Sequence, residues 1–360
     1  MPPRRVGPYE LLSVIGRGGI GTVYRARHQD TGLLAAVKVL GPAPAVEATA
    51  ARRLAREYEV LRGLDHPNVI RVYGAGVHEG YSFLAMELVV GLDLRRYLSP
   101  VIDEGTLGDP SLEALFEASP QEEPRACGEP GPEAIRALAA MMDEPETEPH
   151  GYPRAPPSVV DPPRPSPRPP PSPEVREALN RPARIARLRS ALSQVCGALD
   201  YVHARGLVHR DIKPTNIMVD DQRVARLMDF GLVRTASDAA DTLTQTGRVV
   251  GTYRYMSPEQ AQGLPVDARS DLYSLGVILY ELLAGGPPFS SSEPVGLWRE
   301  ILTARPPPIG VSNPGVDPAL ARLAESLLEK DPARRPRSAE EVLAALAVGG
   351  GPLSPAVAPA

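Results

Sequence analysis

Short apolar runs divided by polar turns open the chain. Residues 9–15 and 21–26 flank a glycine cluster, residues 34–40 follow, and each run has the length and Val, Ile and Tyr content of a strand. From 48 to 64 proline is absent and glycine appears only at 63, while Leu54, Tyr58 and Leu61 recur at helical spacing. Two further strands are predicted at 69–73 and 81–86. A small antiparallel sheet with one helix packed on it accounts for residues 9–98.

Beyond residue 183 the period lengthens. Ile185, Leu188, Leu192, Val195, Leu199 and Val202 form a stripe of three- and four-residue steps, predicting a helix over 183–204 that Gly206 ends. Residues 271–284 are apolar almost all round, which predicts a buried helix. Two more helices are predicted, at 320–329 and from 339 onward. Ser338-x-x-Glu341 has the spacing of a capping box for the last one. After Leu346 the chain runs into Gly, Pro, Ala and Val, a frayed tail or the start of a linker over 347–360.

Between these parts, residues 99–182 change character. Residues 107–143 are acidic on balance, with two short helices predicted near 112–118 and 132–142. From Pro149 to Pro173, 12 of 25 residues are proline, which excludes helix and interior strand and predicts extended or disordered chain. We read 99–182 as an insertion looping out from the domain surface. Such a loop costs little stability, because closure entropy grows slowly with length.

Composition narrows the function without naming it. The 360 residues allow one bilobed domain with extra segments, and a formal net charge of −5 gives no basic field for nucleic acid. Two cysteines, Cys127 and Cys196, give no disulfide framework and fit a reducing, cytoplasmic compartment. The first eight residues lack the apolar stretch of a signal peptide, and no run of about 18 apolar residues predicts a membrane span.

The candidate chemistry lies in an ordered series of short motifs. Gly16-x-Gly18-x-x-Gly21 leads into Thr22-Val23-Tyr24, a strand rather than a helix, so the glycines form a hairpin lid and not a dinucleotide-binding turn. Gly16 and Gly18 let the backbone approach phosphates, and Val23 covers the base. Lys38 is a charge inside the apolar strand Ala36-Val37-Lys38 and needs a carboxylate to hold it. Glu57 is the natural partner and Glu59 the alternative; the packed side defined by Leu54, Tyr58 and Leu61 favours Glu57. His209-Arg210-Asp211-Ile212-Lys213-Pro214-Thr215-Asn216 provides a base, Asp211, with Lys213 two residues on to offset phosphoryl charge. Asn216 follows as a metal-ligand position. His209 reads as a packed scaffold residue. Asp229-Phe230-Gly231 adds a second metal ligand, Asp229, with Phe230 packing beneath and Gly231 permitting the turn.

These motifs, with Ser257-Pro258-Glu259 after them, make the chain resemble the eukaryotic-like serine/threonine protein kinases of bacteria. The resemblance covers residues 9–98 and 183–346. It implies an α+β, bilobed protein kinase-like fold over 9–346, interrupted by the long proline-rich insertion. The small β-sheet lobe with one main helix would span 9–89, and a larger, mainly helical lobe 90–98 and 183–346. It implies ATP with Mg2+, or Mn2+, as cofactors, and proteins bearing Ser or Thr acceptors as substrates. Through it Ile15, Ala36, Glu87, Val89 and Met218 join the nucleotide-binding set, Glu87 and Val89 through their backbone and Met218 beneath the base. Asp271 is implied to hold the catalytic loop, and Arg335 to pair with Glu259 in the large lobe. Lys213 with Gly251-Thr252 matches the serine/threonine pattern, and Thr252 takes a structural role. Arg210 implies control through an activation segment over 229–259. Thr244 and Thr246 match autophosphorylation sites there, Thr242 and Ser237 are further candidates, and a kinase dimer is implied for trans-autophosphorylation.

Two other classes share parts of this pattern. A pseudokinase scaffold would use the fold and insertion to bind a partner without transfer. A small-molecule kinase would share the lysine, base and metal aspartate, but Ser257-Pro258-Glu259 points to protein substrates.

Overall fold

In a computed structural model of the chain, the residues described are 3–17, 21–41, 46–100, 170–230, 253–291 and 293–347. The small lobe is one antiparallel sheet of β1 (Arg5–Val6), β2 (Tyr9–Arg17), β3 (Thr22–His28), β4 (Leu34–Leu40), β5 (Val72–His78) and β6 (Tyr81–Glu87), ordered β1-β2-β3-β4-β6-β5. Period-two alternation sorts its side chains. Ala35, Val37 and Val39 of β4 join Val6, Tyr9, Phe83 and Ala85 in one cluster. Ala36 and Leu40 face the other way, toward Leu54, Tyr58 and Leu61 of α1 (Val46–Leu61). Lys38 shares that second parity, so the strand itself turns it toward the helix and the space between the lobes.

The strand expected at 69–73 is shifted along the chain: it begins at Val72 and runs to His78, sharing only Val72 and Tyr73 with the expectation. Residues 68–70 use their backbone on the large lobe instead: Ile70 N–H donates to Leu227 O, Leu227 N–H donates to Asn68 O, and Val69 bridges Leu227 in parallel. Val69 and Ile70 are apolar because they are buried at this junction. The two-residue strand β1 was too short to read from sequence.

The large lobe begins with β7 (Gly91–Asp93) and α2 (Leu94–Tyr97). The sequence reading assigns 170–182 to the insertion, but α3 (Pro173–Leu179) is a helix docked on the lobe. Ser172 caps it by accepting from Val175 N–H, and Pro173 sits in the first turn, where its missing N–H costs nothing. Leu179 is buried, and the Asn180 and Asn313 amides donate to each other. The helices expected at 112–118 and 132–142, the proline run over 149–169 and the tail beyond 347 lie outside the described residues.

The long amphipathic helix is α4 (Pro182–His203). Its burial extends beyond the predicted stripe to Arg184, Arg187, Arg189 and Cys196. A 3-10 turn (Pro214–Asn216) leads into β8 (Ile217–Asp220), which pairs with β7 on one side and β9 (Ala225–Leu227) on the other. There follow α5 (Pro258–Ala261), α6 (Ala268–Ala284), α7 (Pro294–Thr303), α8 (Ile309–Ser312), α9 (Pro318–Leu327) and α10 (Ala339–Ala347). Helix α6 is buried along nearly all its length, and Gly276 lets α9 approach so closely that a Cβ there would lie 2.6 Å from Leu327 Cβ. Ser338 caps α10 through Glu341 N–H, while the Glu341 carboxylate reaches Arg337 N–H rather than that of Ser338. Among the described residues no helix is long and apolar enough to cross a membrane.

Candidate active site

The β2–β3 hairpin overhangs the interlobe space with Gly16 paired to Val23 and Arg17 to Thr22. Gly21 has a packing reason to be glycine: a Cβ would lie 2.6 Å from Val39 O. Ile15 is half exposed at the lip, whereas Ala36 and Met86 are buried behind it. Gly18 lies outside the described residues.

Lys38 Nζ stands 3.0 Å from Asp229 Oδ1 and 3.6 Å from Glu57 Oε2. Glu59 turns away and pairs with Arg62. One ammonium therefore serves two carboxylates. Burial alone would lower the Lys38 pKa, but Glu57 and Asp229 outweigh it and hold the ammonium above the usual lysine range. Burial pushes the Glu57 carboxyl upward, Lys38 opposes that push and Asp229 adds to it. The proton belongs to Lys38, which keeps its charge between the two. The direct Lys38–Asp229 contact was not foreseen, because nothing local links residues 191 positions apart.

Below it, Asp211 Oδ2 accepts from Lys213 Nζ at 2.7 Å and from Asn216 Nδ2 at 3.1 Å. Asn216 Nδ2 also donates to Asp211 O at 2.9 Å and reaches Asp229 O at 3.5 Å, which commits its nitrogen to the loop and leaves Oδ1 as the free end. The tight 3-10 turn over Pro214–Asn216 makes this reach possible.

The loop carrying Asp211 is held from beneath. Asp271, fully buried in the first turn of α6, accepts His209 N–H, Arg210 N–H and His203 Nε2, each at 2.8 Å. Arg210 and Asp229 both have left-handed backbone, with φ of 67° and 51°. His209 Nδ1 accepts from Asp211 N–H and Nε2 faces Met228 O, so the imidazole is neutral with its proton on Nε2. Burial keeps its pKa below the usual histidine value despite Asp271 and Asp211. The ring lies 4.4 Å from that of Phe230 and serves as packing.

Glu259 is anchored by a buried ion pair with Arg335. Arg335 Nη1 and Nη2 donate to Glu259 Oε1 and Oε2 at 2.6 and 2.8 Å. Its remaining donors reach the carbonyls of Glu329, Arg269 and Lys330, so all five are used. Burial opposes the Glu259 charge, but the bonds from Arg335 and Ser270 prevail and hold its carboxyl below the ordinary range. Gln260 ties this anchor to the loop carrying Asp211, donating from Nε2 to Arg210 O at 2.9 Å. Gln260 was missed in the sequence, although Ser257-Pro258-Glu259-Gln260 spells the capping box that the structure contains. Gly231, Ser237, Thr242, Thr244, Thr246 and Thr252 lie outside the described residues.

Of the residues expected to meet a nucleotide, Glu87 ends β6, Val89 follows in the segment between the lobes, and Met218 lies on β8 opposite Asp93. Together the lobes bring the Lys38 ammonium, the Asp211 carboxylate with Lys213 beside it, the Asn216 amide and the Asp229 carboxylate to the space between them.

This chain is similar to several bacterial kinases. It is 32% identical to the serine/threonine-protein kinase pkn3 of Myxococcus xanthus, over 94% of this chain and 49% of that protein. It is 30% identical to the serine/threonine-protein kinase PknB of Mycobacterium tuberculosis, over 94% of this chain and 42% of that protein. The chain thus spans about half or less of the length of these relatives. The crystal structure of a point mutant of the Mycobacterium tuberculosis PknI kinase domain shares the fold, with a TM-score of 0.56 at 23% identity and 96% of each chain covered. Residues 9–345 match the protein tyrosine and serine/threonine kinase family, and the chain belongs to it.

Proposed function

We propose that the chain transfers the γ-phosphoryl group of ATP to serine and threonine hydroxyls of proteins. The observation that carries this is the convergence of Asp211, Lys213 and Asn216 on one side of the cleft with Lys38, Glu57 and Asp229 on the other. The Asp211 carboxylate accepts the acceptor hydroxyl's proton and orients its oxygen. Lys213, already at that carboxylate, offsets negative charge on the transferring group. Lys38 meets the nucleotide phosphates, and Glu57 keeps it aimed. Val23, Ala36 and Met218 enclose the base, and the backbone of Glu87 and Val89 meets its edge.

Asp229 and the Asn216 oxygen supply hard oxygen donors, which suit Mg2+ or Mn2+. When bound, the divalent ion neutralises phosphate charge as the bond to the leaving group breaks. Control would come by phosphorylation at Thr244, Thr246 or Thr242, in trans within a dimer, with the phosphate pairing to Arg210.

The test is phosphate transfer from ATP with Mg2+ by the purified chain, with Asp211→Asn as control and mass spectrometry to map the label. Label on Thr244 or Thr246 that the control lacks is the expected result. A folded chain that binds ATP and transfers nothing would refute the enzymatic reading and leave a scaffold.

A further inference from the structure

The nucleotide edge has a polar support that the phosphoryl-transfer chemistry does not use. Arg226 on β9 places Nε 2.9 Å from Glu87 Oε1 and Nη1 2.6 Å from Asp220 Oδ2. Glu87 is the last residue of β6 in the small-lobe sheet, whereas Asp220 ends β8 in the large-lobe sheet. One guanidinium therefore bridges two carboxylates, one from each lobe, with Asp220 paired across from Gly91 just beyond the segment joining them.

The large-lobe half of this bridge is rigid. Asp220 Oδ1 accepts from Val224 N–H at 2.8 Å and closes the β8–β9 turn, where Arg223 adopts φ of 63°. Arg226 lies directly across from Met218 in the β8–β9 register, so both stand on one face of that sheet. Glu87 is held on its other side too: its N–H donates to Arg71 O at 2.8 Å, and its backbone pairs with Ala35 of β4. All three side chains are largely buried, with 14 to 26% exposure, so the ion pairs are better shielded from solvent than surface ones.

We infer that Arg226 is a positioning residue for the adenine of the nucleotide, fixing the height of the Glu87 backbone above Met218. It touches no reacting atom. The inference rests on the nucleotide-site reading of Glu87, Val89 and Met218. A base held between that backbone edge and that floor loses affinity when the gap is free to vary, whereas a phosphate chain held by Lys38 and the glycine hairpin does not.

The experiment measures calorimetric binding of Mg-ADP and of magnesium tripolyphosphate, which has phosphates but no base, to the full chain and its Arg226→Met and Arg226→Lys variants. Arg226→Met keeps an apolar stem of similar length and removes the bridge. ADP affinity is expected to fall about fivefold (about 1 kcal/mol), with tripolyphosphate affinity unchanged. Arg226→Lys, whose single ammonium meets one carboxylate and not both, should fall between. Combining Glu87→Gln with Arg226→Met should cost no more than Arg226→Met alone. Equal ADP affinity in the unaltered chain and both variants overturns the inference, as does an equal loss for both ligands. Should Arg226→Met fail to melt cooperatively, Arg226→Lys decides by the same two-ligand comparison. Failure of the unaltered chain to bind ADP would refute the nucleotide-site reading and the inference with it, an outcome distinct from the others.

Discussion

Replacing Asp271 with asparagine tests whether the catalytic loop is held in shape by one buried carboxylate. Asp271 accepts three hydrogen bonds, from His209 N–H, Arg210 N–H and His203 Nε2. An asparagine offers one oxygen and one NH2 group, so at least one backbone N–H would face a donor. A hydrogen bond to a charged group is worth about 1.5–3 kcal/mol, and leaving its buried donor unpaired costs a similar amount. Arg210 adds to the effect. Its left-handed backbone is the kind of strain, about 1–3 kcal/mol, that persists only while surroundings enforce it, and Asp271 is what enforces it. We expect Asp271→Asn to lose about 3 kcal/mol in urea unfolding and to relax Arg210. Asp211 is the next residue, so the base moves with it. A displacement of about 1 Å at a reacting group costs about a hundredfold in rate. The assay is therefore paired: stability by urea titration, and initial rate of phosphate transfer at a temperature where the variant remains folded. A folded variant with an unchanged rate would refute the reasoning, because it would show that the loop keeps its shape without the carboxylate.

Three other outcomes follow from the packing. Arg335→Met should cost about 3–5 kcal/mol, since it strands the buried Glu259 charge, while adding Glu259→Gln should recover part of the loss in the same urea titration. The Glu259 carboxyl has a folded pKa below its unfolded value, so its stabilisation is complete above the unfolded pKa. It is lost as pH falls through the folded one, an acid-side slope in melting temperature that the double variant should flatten. Gly276→Ala sets two effects against each other: alanine gains about 1 kcal/mol of helix propensity, but overpacking costs about 1–3 kcal/mol, and Leu327 backbone stands behind the clash. A net loss near 1 kcal/mol is expected, and a more stable variant would show that α9 moves away freely. Exchanging residues 101–169 for a flexible linker of about 12 Gly and Ser residues, about 20 Å in mean reach, should leave cooperative melting intact.

Much of this architecture was legible because local rules and the fold agree. Alternation in β4 and the three- and four-residue steps around Glu57 put Lys38 and Glu57 on facing surfaces, and the motif spacing of Asp211 and Asn216 reflects a single tight turn. The misreadings share a cause. Val69 and Ile70 looked like a strand because they are apolar, but their partner is Leu227, far away in sequence. Proline density concealed α3, whose Pro173 occupies the one helical position that proline favours. Arg226, Gln260 and His203 carry no local pattern that marks their contacts with Glu87, Arg210 and Asp271, which lie 139, 50 and 68 residues away.

Arg184 explains how such a chain can be divided without losing its site. Its Nε donates to Leu98 O, just before the insertion, its Nη1 to Leu179 O, just after it, and its Nη2 to Leu282 O in α6, all at 2.8 Å. Residues on either side of 101–169 thus meet at one buried guanidinium, which also fastens them to α6. These contacts form a base that holds the two sides together, and for a flexible loop between ends so held added length costs only the slow, logarithmic entropy of closure. Breaking that base is a different matter. Arg184→Leu would leave three buried carbonyls unpaired at about 1–3 kcal/mol each, so it should destabilise the lobe more than removal of all residues from 101 to 169. If the linker exchange proves the more damaging of the two, the insertion carries part of the core and the flanks do not close on Arg184 alone.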